Sequence, residues 1–266
     1  MPLRKGYSTI DGRQMHWRMW GEPNIGLAPD LYCFHPAPFS GLAFENFAPR
    51  LADGRRVIAP DYPGYGGSAA PDHELSIEVI ARAMAGLAAT LSGDGLIDVL
   101  GFHTGCLVAV EVQRVPGCHV RKACLIDIPA FESEMAEQMV EKFSQPFEVG
   151  EELASLEAPW NGTFKPRMAT QGPDQALALL AEQLRAGRNV NEAFRAAFSY
   201  PWKERFSTST AQTLIVASKS GLLEGTLKSA EIIPGTQLVE RLDIERSVLD
   251  QSGEATAGEV LAFLQE

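Results

Sequence analysis

Apolar stretches alternate along this chain between two periods, and turn-forming residues separate them. Segments 7–10 and 14–20 flank Asp11-Gly12, and Asp-Gly between strand-like runs signals a hairpin. Pro29-Asp30 leads into Leu31-Tyr32-Cys33-Phe34, a short buried strand. Residues 42–51 read as a helix and 56–59 as the next strand. Over 76–91, Ile77, Ile80, Ala81, Met84, Leu87, Ala88 and Leu91 share one helical face, with Ser76 as N-cap. The stretch 96–110 then runs from an apolar strand through a glycine-flanked turn into an apolar helix. Further strands are expected at 120–128, 213–217 and 236–242, and a closing helix at 255–264. Strands alternating with helices predict an α/β fold, a predominantly parallel sheet flanked by helices. Between 131 and 206 the pattern changes to helical segments at 132–143, 174–186 and 191–198, interrupted by proline and glycine. No internal repeat or low-complexity tract is present.

The turn inside 96–110 reads Gly101-Phe102-His103-Thr104-Gly105. Small residues two before and two after let a strand and a helix meet at a sharp bend. The central residue is then forced into a sparsely allowed, left-handed conformation, which histidine tolerates better than most. A second turn-rich loop, Pro60-Asp61-Tyr62-Pro63-Gly64-Tyr65-Gly66-Gly67-Ser68, follows the strand at 56–59. The first motif has the spacing of the G-x-S-x-G nucleophile elbow, with histidine in place of serine. Together the two resemble the α/β-hydrolase superfamily over essentially the whole chain. The resemblance implies an α/β-hydrolase core at 1–130 and 207–266 and a helical cap at 131–206. The aromatic residues of that cap (Phe143, Phe147, Trp160, Phe164, Phe194, Phe198, Tyr200, Trp202) are read either as pocket lining or as packing between cap and core.

Measured against the family, the catalytic set is incomplete. The nucleophile position holds His103. The acid, when placed one strand earlier than usual, is Asp127 at the end of the strand at 120–128; the loop after 213–217 has no carboxylate before Glu224. The family's histidine belongs after the last strand, at 243–247, and is missing: of five histidines (16, 35, 73, 103 and 119) none lies later in the chain. The oxyanion hole fares better. The family builds it from two backbone N–H groups. One would be that of Thr104, the residue after the nucleophile. The other would be that of Ala37 in His35-Pro36-Ala37-Pro38, where the flanking prolines have none. His35 and Phe102 are candidate substrate-binding residues.

His103 has three readings: a structural residue that tolerates the bend, a neutral base or nucleophile, or a ligand-orienting residue without chemistry. The positive end of the following helix opposes a cation, so the ring should stay neutral unless Asp127 lies close. Asp61 is read as stabilising its own turn, and His16 and His119 as structural.

Composition narrows partners more than chemistry. A net charge of −11, from 23 basic and 34 acidic residues, disfavours nucleic acid and anionic membranes. No apolar run reaches membrane-spanning length and no signal-peptide core is present, so a cytoplasmic location is expected. The four cysteines form no C-x-x-C pair and read as buried free thiols. No metal or cofactor is expected. The expected partner is a small molecule held under the cap, and assembly into a homo-oligomer stays open. Two functional classes follow: a hydrolase of a small, largely apolar ester, lactone or related compound with a non-standard site, or an inactive relative that binds a ligand or a protein.

Overall fold

The computed structural model describes residues 2–22, 28–245 and 247–266. Strands β1 (Arg4–Ile10) and β2 (Arg13–Trp20) form the expected hairpin, with Asp11 at a φ of 48° in its turn. β3 (Asp30–Phe34) follows. The helix expected at 42–51 is broken into a 3-10 turn, Gly41–Phe44, and a single turn α1 (Ala48–Leu51). Pro49 sits in the first turn of α1 and has no N–H to bond back to the preceding turn. β4 (Val57–Pro60), α2 (Ile77–Ser92), β5 (Leu96–Phe102), α3 (Thr104–Glu111) and β6 (His119–Ile126) complete the first half. Ser76 caps α2, its Oγ accepting from the Val79 amide.

Between β6 and β7 (Gln212–Ser218) the described chain is helical: α4 (Ser133–Phe143), α5 (Glu157–Pro159), α6 (Lys165–Gln171), α7 (Pro173–Arg185), α8 (Glu192–Phe198) and α9 (Trp202–Ser207). A π turn at Trp160–Phe164 joins α5 to α6 around Gly162. After β7 come α10 (Leu223–Ile232), β8 (Thr236–Arg241) and α11 (Gly253–Gln265). Helix α10 has no apolar stripe to announce it. Its buried side is Gly225, Thr226 and Ser229, and Thr226 Oγ1 accepts from the Ile128 amide.

The eight strands form one sheet in the order β1-β2-β4-β3-β5-β6-β7-β8. The β1–β2 and β2–β4 pairs are antiparallel, and β4 through β8 pair in parallel. Alternate residues of each parallel strand face opposite sides. In β3, Tyr32 and Phe34 join a core with α2 and α3, whereas Leu31 and Cys33 join one with α1 and α11. Both faces are therefore covered, and the loops leaving the strands' carboxyl ends are left to build a site. Among the described residues no helix is long and apolar enough to cross a membrane.

Candidate active site

The β5–α3 turn is an elbow by its geometry as well as its spacing. His103 has φ 52° and ψ −120°, so φ is positive as expected, but the residue lies outside the left-handed helical basin. A side chain at Gly101 would overlap the Gly105 carbonyl, and one at Gly105 would overlap the Phe34 carbonyl. The glycines thus let α3 fold back onto β3 and β5, and the strain at His103, of order 1–3 kcal/mol, is held by that packing.

His103 is half-buried at the base of a cavity of about 380 Å³. The walls come from the loop after β3, the ends of β5, β6 and β7, Glu245 and residues 247–250 after β8, and α6 of the helical stretch between β6 and β7. The Phe102 ring lies 4.0 Å from the imidazole between centroids and also lines the cavity. Burial, and then the charge of Arg167, lower the His103 pKa to about 4, so the ring is neutral at pH 7. Among the described residues no side chain bonds to either ring nitrogen.

Asp127 lines the same cavity at the end of β6, itself at a positive φ of 53°. Its Oδ1 accepts from the Ser218 amide at 2.9 Å and its Oδ2 from the Ser218 hydroxyl at 2.7 Å. Burial raises its pKa against those bonds. Among the described residues neither a hydrogen bond nor an ion pair joins it to His103, so the two share a cavity without forming a dyad. Ala37 lines the cavity, and Thr104 is buried as the first residue of α3. Among the described residues neither amide donates within the protein.

His35 does not serve as expected. It is fully buried beside the cavity, stacked 3.7 Å from the Tyr62 ring. The Tyr62 amide donates to Nε2, so Nδ1 carries the proton and donates to the Pro36 carbonyl. Burial lowers its pKa to about 4. With both nitrogens used inside the loop, the ring shapes the Ala37 segment and has nothing left for a substrate. The insertion's aromatic residues also stay out of the elbow cavity: Phe143 stacks on Phe194 and Phe198, and Trp160 on Phe164. Asp61 does more than hold its own turn. It accepts from Gly67 N, Gly41 N, Arg18 Nη1 and His16 Nδ1, tying β2 to the loop that carries Ala37. Burial would raise its pKa, but these partners hold it below the usual value.

Arg167, Gln171 and Asp250 are cavity residues beyond the sequence reading. Arg167 and Gln171 project from α6, and Asp250 comes from the loop where the family's histidine belongs. Asp250 accepts from Asn46 Nδ2 and Gln171 Nε2. Within that loop, Arg246 lies outside the described residues. A larger groove of about 630 Å³ between α4, α8 and α9 contains none of the elbow residues. Among the described residues no three histidine, cysteine or carboxylate side chains converge to hold a metal ion. Cys33, Cys106 and Cys124 are buried free thiols, and Cys118 is half-buried.

Residues 31–243 match the alpha/beta hydrolase family model. The chain belongs to that family. Its fold is similar to that of an enol-lactonase from Burkholderia xenovorans LB400, with a TM-score of 0.81 at 18% identity over 98% of this chain and 100% of the other. A hydrolase from Pseudomonas aeruginosa PA01 gives 0.80 at 18% identity, covering 98% of both chains. An esterase from Thermogutta terrifontis, solved with malate bound, gives 0.75 at 18% identity, again covering 98% of both. No curated protein matches the sequence.

Proposed function

We propose that this alpha/beta hydrolase family protein hydrolyses a small ester, lactone or related carbonyl compound in the elbow cavity, with His103 as the nucleophile. The observation that carries this reading is the neutral imidazole at the elbow, half-buried in the cavity, with neither ring nitrogen bonded to protein among the described residues. A serine needs an adjacent base before it can attack. An imidazole with its lone pair already free does not, which fits the missing terminal histidine.

In the proposed reaction an imidazole nitrogen adds to the carbonyl carbon. The carbonyl π pair moves onto oxygen, where the Ala37 and Thr104 amides stabilise it. Collapse of this intermediate breaks the carbon–oxygen single bond. The leaving oxygen takes up the proton that the acylated ring gives up. Water then adds to the acyl-imidazole, releases the acid and restores the neutral ring. Phe102 packs against the substrate's apolar part, and α6 covers the site from water.

One observation favours the second class, a ligand-binding relative without turnover: among the described residues no base stands beside His103. The two are separated by a panel of esters and lactones assayed on the wild type beside His103→Ala. Turnover lost in the variant supports the hydrolase. Ligand binding with no turnover in either supports the binding protein.

A further inference from the structure

Arg167 is the cavity residue whose state the protein alone does not explain. It sits on α6 with its guanidinium 4.9 Å over the Phe39 ring, and among the described residues its Nη1 donates only to carbonyls of the preceding turn, Thr163 O at 3.0 Å and Gly162 O at 3.4 Å. Among the described residues it forms no ion pair. The carboxylates that share its cavity are each engaged elsewhere. Asp127 is held by Ser218, Asp250 by Asn46 and Gln171, and Glu245 by Lys219. A shielded cation is normally paired, because taking it out of water costs more than packing returns. The cost is visible: burial lowers the Arg167 pKa, and Asp250 offsets this only in part. Beside it, Gln171 Oε1 is a buried acceptor with no donor, lining the same cavity.

We propose that Arg167 is the anchor for a carboxylate on the ligand, so that the substrate is an ester or lactone that also carries a free acid group. The substrate class rests on the hydrolytic reading above; the anion subsite does not. A guanidinium with free N–H groups in a partly dehydrated cavity suits a planar carboxylate.

The subsite also bears on the reaction. The Arg167 charge is one of the two causes that lower the His103 pKa. A carboxylate seated on Arg167 cancels that field and makes the imidazole more basic, and thus more nucleophilic, only when the correct ligand is bound. The other charged groups facing this cavity are Asp127, Glu245 and Asp250.

The test pairs monomethyl glutarate with its neutral counterpart, dimethyl glutarate, in calorimetric titrations of the whole protein. The acid should bind at least about tenfold tighter than the diester, as expected for one charge-assisted hydrogen-bonded pair. Arg167→Gln should bring the two within about twofold, and Arg167→Lys should keep part of the preference. Equal affinities in the wild type, or no binding of the acid, overturns the subsite. So does a preference that persists unchanged in Arg167→Gln. Independently of any added ligand, NMR titration of His103 should give a higher pKa in Arg167→Gln than in the wild type. Acid preference without hydrolysis by the wild type would keep the anchor and reject the hydrolase. Hydrolysis of neutral esters without acid preference would do the reverse.

Discussion

Ser218 takes both oxygens of Asp127, through its amide at 2.9 Å and its hydroxyl at 2.7 Å. The carboxylate at the end of β6 is therefore bound to the end of β7 rather than to the imidazole at the end of β5. Ser218→Ala removes one of these donors from a fully buried carboxylate. It should cost about 1–3 kcal/mol at pH 7 in denaturant titrations. The same variant should leave the His103 pKa where it is. A clear change in that pKa would mean that Asp127 acts on the ring after all.

The His103 titration itself carries a sign. Burial and Arg167 lower its pKa from 6.5 to about 4. The folded state thus prefers the neutral ring, and the associated stability is complete above the unfolded value. It declines as pH falls below 6.5 and is lost once pH passes through about 4. His35 contributes in the same direction over the same window, because burial lowers its pKa to about 4 as well. NMR titration should show His103 neutral down to about pH 5, with little change in Asp127→Asn. A wild-type pKa above 6.5 that drops in Asp127→Asn would falsify the neutral-ring account and point to an ion pair.

Sequence pattern reached the fold because each cue had a local cause. Asp11-Gly12 needs only its own turn, and Gly101 and Gly105 are small because backbone passes against them. The change to helices after β6 was legible from its punctuation. The site was less so. His35 stands beside the right loop, but what its nitrogens do depends on Tyr62, 27 residues later. Asp127 and His103 end neighbouring strands, yet Ser218, 91 residues on, takes the carboxylate. Arg167 left one faint trace: its helical neighbours Thr163, Phe164, Thr170 and Gln171 include no carboxylate to pair with it. Only the folding of α6 over the elbow gives that absence a meaning.

His103→Ser should not produce an efficient esterase. The serine would have the elbow and the amides but no imidazole to activate it, since both nitrogens of His35 are engaged with Tyr62 and Pro36. Kinetics with activated esters should show the variant no faster than the wild type. Labelling at position 103 by a fluorophosphonate should be slow in the variant. Ordinary enzyme rates in the variant would reveal a base within reach of the elbow.

Removing the charge of Arg167 while keeping its aliphatic stem should help the empty protein. Arg167→Met gives up the guanidinium over the Phe39 ring and deletes a half-buried cation with no ion-pair partner among the described residues. Its ligand-free stability should rise by about 1 kcal/mol in chemical denaturation, net of the two lost bonds to the Gly162 and Thr163 carbonyls. A loss of stability would show that Arg167 holds α6 in place by itself.

In the proposed reaction His103 takes the acyl group. Rapid acid quenching of wild-type protein during turnover of p-nitrophenyl acetate, followed by peptide mass spectrometry, tests it directly. The expected result is an acetyl group on the His103 imidazole that decays after the ester is consumed and is absent in His103→Ala. An acetyl group on another residue, or turnover with no acylated His103 at any quench time, would contradict it.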